Sequence, residues 1–317
     1  MLMKTPLLAL VASMALASAA QADSKFYGKM NVAVGYEDES EVFGLQSSAS
    51  RLGVKGSEDL GSVSVIYKAE YEIAIDDGLA GDKGYDINDD GTDDATDTNT
   101  IKPRDAYIGL KYNGMGTVKL GNMDTPLKKS QGKFDLFNDV VDLKKVLDGE
   151  NRMANTVNYT TEKMGAFQSS IAVILPEDGS SEGISANIIY KTGGLYASAA
   201  VDNKVKGEAT QRATLIYSLG DVKVGALVNN VDKDDVAGPK GDELGFAVNA
   251  SIKMGVHTLK AQFESGEQKE AGASSFSLGI DHKLAKSTKV FAFFNQFSAD
   301  DKDEETTVLA LGLEHKF

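Results

Sequence analysis

The densest run of side chains able to do chemistry is Asp86-Ile87-Asn88-Asp89-Asp90-Gly91-Thr92-Asp93-Asp94. Asp86, Asn88 and Asp90, with Gly91 next, repeat the D-x-N-x-D-G opening of a calcium loop, and Asp94 and Asp97 fall where later ligands sit. Oxygen ligands at every second residue can wrap one hard cation, and Gly91 allows the turn. Asp97 stands at the twelfth position in place of the longer Glu, and no flanking helices are expected. The run therefore reads as a calcium site or as a solvated acidic loop. Catalytic patterns are scarce. His257, His282 and His315 all fall in expected strands, and no Gly-x-Ser-x-Gly elbow, metal-ligand His pair or phosphate-cradling Gly loop is visible. Nothing singles out Ser277 and His282 as a hydrolytic pair. No enzymatic activity and no obligatory cofactor are expected.

The elements that must carry these residues are strands. Phe26, Met30, Val32 and Val34 share one face, and Tyr27, Lys29, Asn31 and Ala33 the other. Val63, Val65, Tyr67, Ala69 and Tyr71 alternate with Ser62, Ser64, Lys68, Glu70 and Glu72, and the same period runs from Val222 to Val228. About sixteen such runs can be marked, beginning near Lys25, Ala49, Ser62, Lys102, Thr117, Ala154, Phe167, Ile184, Leu195, Thr210, Lys223, Leu244, Val256, Ser275, Thr288 and Thr306. Short turns such as Asp59-Leu60-Gly61 and Thr192-Gly193-Gly194 alternate strictly with longer polar loops. That is the layout of an even-stranded transmembrane barrel. A soluble β-sandwich also alternates. Runs of about ten residues, the alternating loops and the lack of a linker between two sandwiches favour the barrel. Most aromatics, including Tyr67, Tyr71, Phe246, Phe291 and Phe293, are assigned to the apolar faces.

Residues 1–22 read as a cleaved signal peptide, with Lys4, the apolar run Leu7 to Leu16 and the small-x-small end Ala20-Gln21-Ala22. The barrel occupies residues 23–317. The chain has no cysteine and a net charge of −14, which argues against a nucleic-acid partner. Leu309, Leu311, Leu313, His315 and the terminal Phe317 share one face of the last strand. An aromatic terminus with apolar residues at every second position resembles the sorting signal of bacterial outer-membrane proteins, which implies contact with the barrel-assembly machinery.

Three further segments carry a resemblance to the trimeric general porins of Gram-negative outer membranes. Ser50-Arg51-Leu52-Gly53-Val54-Lys55-Gly56-Ser57-Glu58-Asp59-Leu60-Gly61 is similar to their second strand and turn. Arg104-Asp105-Ala106-Tyr107-Ile108-Gly109-Leu110, Gly116-Thr117-Val118-Lys119-Leu120-Gly121 and Asp124-Thr125-Pro126 resemble the fourth and fifth strands. Arg152, Asn155, Val157 and Tyr159 resemble the start of the sixth. The resemblance implies an all-β, sixteen-stranded antiparallel barrel, a homotrimer in outer-membrane lipid and lipopolysaccharide, and a third loop, here Asn122 to Asn151, folded inward. The expected function is passive diffusion of small hydrophilic solutes and ions. Alternatives are a substrate-selective channel on the same fold or a plugged structural or adhesive barrel. Parity puts Lys29, Arg51 and Lys55 on wet faces. The resemblance adds Arg104 and Arg152 as wall arginines, opposed by Asp135, Asp139 and Asp142 of the third loop. Acidic loops at the mouth suggest a lean towards cations.

Overall fold

A computed structural model describes residues 23–38, 42–76, 101–177, 182–233, 242–300 and 304–317. The leader and the acidic run from Asp86 to Asp97 lie outside these residues. The described residues form one antiparallel sheet of seventeen segments, β1 to β17 in chain order. β1 (Lys25–Glu37) pairs with both β2 (Val42–Ser47) and β3 (Arg51–Asp59), and sequential neighbours pair from β3 onward. β1 also pairs with β17 (Glu304–Lys316), closing the sheet. Closure leaves no open edge whose backbone groups would lack partners in lipid. No described helix is long and apolar enough to cross a membrane.

The seventeen segments make sixteen barrel strands, because β2 (Val42–Ser47) and β3 (Arg51–Asp59) are halves of one strand facing β1. Ala49 between them has φ 50°, and the register slips by one residue from Val32↔Ser47 to Lys29↔Arg51. Such a bulge inserts an extra residue and swaps which parity faces inward. The Ser50 hydroxyl fills the broken ladder, accepting from Asn31 N at 2.9 Å and donating to Asn31 O at 3.0 Å. The strand thus begins at Val42 and not near Ala49, because the break hides the earlier half from a period-2 reading.

Apolar residues at every second position form the outer surface. Leu120, Ile188, Leu215, Val228, Val248, Leu278 and Leu311 are all exposed there. Their opposite-parity neighbours, such as Asn158, Thr214, Asn229, Asn249 and Ser277, point inward and are buried. A band of exposed apolar groups stable in lipid, around a polar interior, is the inversion that distinguishes a membrane barrel from a soluble one.

Two sequence-based expectations are corrected. Loop lengths do not alternate strictly, because β10 (Leu195–Val205) and β11 (Glu208–Leu219) are joined by Lys206-Gly207 alone on the long-loop rim. Both residues have positive φ, 56° and 85°, as the tight hairpin geometry requires. Phe291 and Phe293 belong to the inner face of β16 (Thr288–Ala299), where they are buried beside Ala33, Val308 and Ala310. This strand is apolar on both faces, so parity could not say which side met lipid.

The inner apolar patches exist because the segment between β6 (Gly116–Asp124) and β7 (Arg152–Thr161) packs on them. Phe134, Leu143, Val146 and Leu147 cluster with Ile216, Leu227, Ala247 and Phe297 of the wall. Phe137, Val140 and Val141 cluster with Phe291 and Phe293. Each fully buried Phe or Leu contributes about 1.5–3 kcal/mol. Wall glycines make the room: a Cβ at Gly279 would lie 2.7 Å from the Phe137 ring, and one at Gly245 would overlap Leu147. The apolar pattern from Phe134 to Leu147 yields little helix. The segment holds only α1 (Pro126–Ser130) and a 3-10 turn at Leu143–Lys145.

Candidate constriction and its charges

Four neighbouring strands aim charged residues at one patch of the inner wall, beside the inward loop. Lys29 and Arg51 are register partners on β1 and β3. Glu72 on β4 (Val63–Ile73) pairs with Arg51 in turn. On β5 (Ile101–Tyr112) the register shifts between Ala69 and Tyr71 of β4, so Arg104 and Asp105 together oppose Glu70. A bulge of this kind turns two successive side chains to one side. Both therefore reach the lumen: Arg104 Nε lies 3.0 Å from Glu70 Oε1, and Asp105 Oδ2 lies 2.9 Å from Lys68 Nζ.

The groups form a chain of ion pairs. Arg104 also pairs with Glu72, and Lys68 with Glu70 at 3.2 Å. Arg152 bridges Asp105 at 3.4 Å and Asp124 at 2.9 Å. Tyr27 donates its hydroxyl to Glu70 at 2.7 Å, and Lys55 lies over the Tyr27 ring, 5.0 Å from its centroid. Asp139, at the tip of the inward loop, meets Lys29 at 2.5 Å and Arg51 at 3.6 Å. Burial pushes the Asp139 carboxyl up, but Lys29 and Arg51 outweigh it and hold it below the usual carboxylate range. A cavity of 340 Å³ lies below this contact, lined by Tyr27, Lys29, Arg51, Lys55, Lys68 and Glu70.

The other two loop aspartates do different work. Asp135 is enclosed against the wall, accepting from Phe137 N at 2.9 Å, Gln262 Nε2 at 3.0 Å and Leu143 N at 3.4 Å. Burial and the neighbouring Asp142 push its carboxyl up to about 7. It faces loop backbone, so the expectation that it opposes the wall arginines is corrected. Asp142 caps the 3-10 turn, accepting from Lys144 N at 3.1 Å. The loop's far half is anchored by Arg212, whose side chain is buried and reaches Glu150 at 2.5 Å, Asp148 O at 2.7 Å and Asn229 Oδ1 at 3.1 Å.

Sequence reasoning named Lys29, Arg51, Lys55, Arg104, Arg152 and Asp139, and these lie in or beside the charged patch. It missed Lys68, Glu70, Glu72, Asp105, Lys119 and Lys129 as members. The wet-face parity of β4 carried the signal for the first three. Lys119 lies over the Tyr107 ring, 4.5 Å from its centroid. Lys55, Lys119 and Lys129 have no carboxylate within ion-pair distance among the described residues. Burial lowers the affinity of Lys129 for its proton, against the opposing pull of Asp124 and Asp105.

A closed sixteen-stranded barrel with a polar lumen and an inward loop narrows the possibilities to one architecture. Residues 8–302 match the model of the Gram-negative porin family. The chain belongs to that family. This porin is 27% identical to outer membrane porin protein 32 of Delftia acidovorans, covering 99% of the chain and 93% of that relative. It is 24% identical to a major outer membrane protein P.IB of Neisseria meningitidis serogroup B, covering 99% and 100%. Among solved structures, the anion-selective porin from Comamonas acidovorans superposes with a TM-score of 0.75 at 22% identity, covering 94% of this porin and all of that chain. OmpF of Salmonella typhi gives 0.73 at 14% identity, covering 93% and 97%. This porin is an outer-membrane diffusion channel.

Proposed function

We propose that this porin passes small hydrophilic solutes through a waist where Asp139 meets Lys29 and Arg51, and that the waist prefers anions. The observation that carries the reading is the charge left over after pairing. Among the described residues Lys55, Lys119 and Lys129 make no direct ion pair, whereas Glu70, Glu72, Asp105, Asp124 and Asp139 each face a cation. Fixed charges lining a narrow lumen raise the local concentration of the opposite ion. This reverses the cation lean expected from the acidic composition. The solved relative described as anion-selective agrees in direction.

Reversal potentials across a potassium chloride gradient test it. The wild type is expected to favour chloride, and replacing Lys119 and Lys129 by Gln should move the potential towards cations. A cation-selective wild type, or an unmoved double variant, sinks the reading. The channel is passive and has no catalytic constellation in this reading. It is a homotrimer, with outer membrane lipid and lipopolysaccharide around it. Support comes from the outer wall over β2 and β17, where Phe43, Leu45, Leu309 and Leu311 are 51–76% exposed. One solved relative, OmpT of Vibrio cholerae, is described in a trimer form. Unheated gel mobility of a trimer, lost on boiling, checks this. The spacing of Asp86, Asn88, Asp90, Asp94 and Asp97 supports calcium binding to the second long loop. Calcium should then raise the trimer's dissociation temperature more than equal magnesium does, and Asp86→Asn with Asp90→Asn should remove the difference.

A further inference from the structure

The sequence shows no metal-ligand histidine pair, but strand pairing makes one. His257 opens β14 (His257–Gly266), and His282 lies near the end of β15 (Ser274–Ala285). The two are direct register partners. Both point outward, by the parity of Leu259 and Ile280, and both are half-buried. Lys283 N donates to Val256 O at 2.9 Å, which makes that the hydrogen-bonded pair next along. His257 and His282 therefore occupy the non-hydrogen-bonded position, where facing side chains come closest.

The two Nδ1 atoms are hydrogen-bonded at 3.2 Å, in a sense set by the tautomers. A metal between them would take the place of the shared proton, which moves to Nε2. Two imidazole nitrogens bound at 2.0–2.1 Å to one tetrahedral metal lie about 3.3 Å apart. The rings thus already have the bite of a chelate, with no change of strand register needed. A third donor is at hand. Met254, the last residue of β13 (Asp242–Met254), is the register partner of His257 across the Gly255-Val256 turn. Met254 is 47% exposed on the same outer face. Thioether and imidazole form a borderline-to-soft donor set, which suits copper and, less strongly, zinc. Among the described residues no third His, Cys, Asp or Glu joins the group. Water must complete the shell, so the site is open and exchangeable.

From this geometry we infer that His257 and His282 chelate a first-row transition-metal cation at the short-turn rim of the barrel, with Met254 beside it. The site is unrelated to solute passage, because it lies on the outer wall. Bound metal would staple β14 to β15 next to their open ends. Neutral imidazoles are needed, because a protonated ring nitrogen has no lone pair to give the metal.

The test uses the detergent-extracted full barrel, titrated with Cu2+ or Zn2+ and followed by calorimetry and by the temperature at which the folded form is lost. One saturable site per chain is expected, and the 3.2 Å separation is that of a tetrahedral ion such as Zn2+. His257→Ala and His282→Ala should each weaken binding by at least roughly tenfold, a loss that even the outer partners of metal ligands produce. His315→Ala should bind as wild type. Protection of His257 and His282 from diethylpyrocarbonate by Zn2+ in the unmutated barrel gives a reading that no folding defect can imitate. Wild-type affinity in either alanine variant, unprotected histidines, or no one-site binding overturns the inference.

Discussion

Asp139 holds a left-handed backbone conformation, with φ 75°. A non-glycine residue there costs about 1–2 kcal/mol, and the contacts to Lys29 and Arg51 offset it. Asp139→Asn keeps a residue type that tolerates this conformation but removes the charge that faces Lys29 and Arg51. The expected result is a larger anion preference, read from reversal potentials, and a lower heat stability, because buried Lys29 loses its counter-charge. Replacing Arg51 and Arg152 by neutral residues should move selectivity the other way. The two loop aspartates also give opposite pH dependences. The Asp135 carboxyl is raised to about 7 in the folded barrel, so the native state holds a proton that the unfolded chain has lost above its ordinary value near 3.9. Its contribution is present below that value and is lost as pH rises towards 7. Asp139 is depressed; its contribution is present above the ordinary carboxylate value and lost as pH falls through its lowered folded one. Thermal scans from pH 4 to 8 should show the Asp135 contribution being lost between about pH 4 and about pH 7 and levelling off above it, and Asp135→Asn should flatten that fall. Lys29, Arg51 and Lys55 were legible because period 2 alone decides which way a strand residue points. Asp105 and the fate of Asp135 were not, since a bulge and a loop's backbone donors leave no mark on that period.

The inward loop is held by shape at one end and by charge at the other. Gly279 and Gly245 admit Phe137 and Leu147, while Arg212 and Glu150 form a pair whose side chains are 0% and 3% exposed. Removing one partner of such a pair leaves a buried charge uncompensated, at about 3–5 kcal/mol. Arg212→Met should therefore loosen the loop, seen as noisier single-channel currents and a lower dissociation temperature. Gly279→Val should expel Phe137 and give a similar current trace by a steric route. If either variant conducts with wild-type steadiness, the loop has a different anchor. The strands themselves could be read from sequence because each needs an apolar face towards lipid. Their exceptions could not. The Ser48-Ala49-Ser50 break and the Lys206-Gly207 turn are local backbone events, and the glycines that accept the loop signal only once the partner segment is known.

For the whole molecule, composition and waist pull in opposite directions. The chain carries a net charge of −14, yet the waist carboxylates Glu70, Glu72, Asp105, Asp124 and Asp139 are each paired with a cation. An acidic exterior and a basic waist predict a selectivity that depends on salt. Screening reduces the influence of exposed charges beyond about 10 Å at 0.1 M, while charges within the waist act at contact range. The anion preference should therefore persist, or sharpen, as salt rises from 0.1 M to 1 M. A preference that vanishes in this series would assign it to the mouth.

The seam between β1 and β17 has a consequence for how the chain is made. Gly28 and Phe317 exchange both backbone hydrogen bonds, at 3.0 and 3.1 Å, and the Phe317 ring covers the place a Gly28 side chain would take. The first and last strands meet where Gly28 pairs with Phe317. Until β1 and β17 pair, any intermediate displays two raw sheet edges ready to pair with a neighbour. Closing across nearly the full contour is also slow, because contacts distant in sequence form late. Removing Phe317 should leave synthesis untouched and fill the periplasm with aggregating or degraded chain, not with a slightly weaker channel.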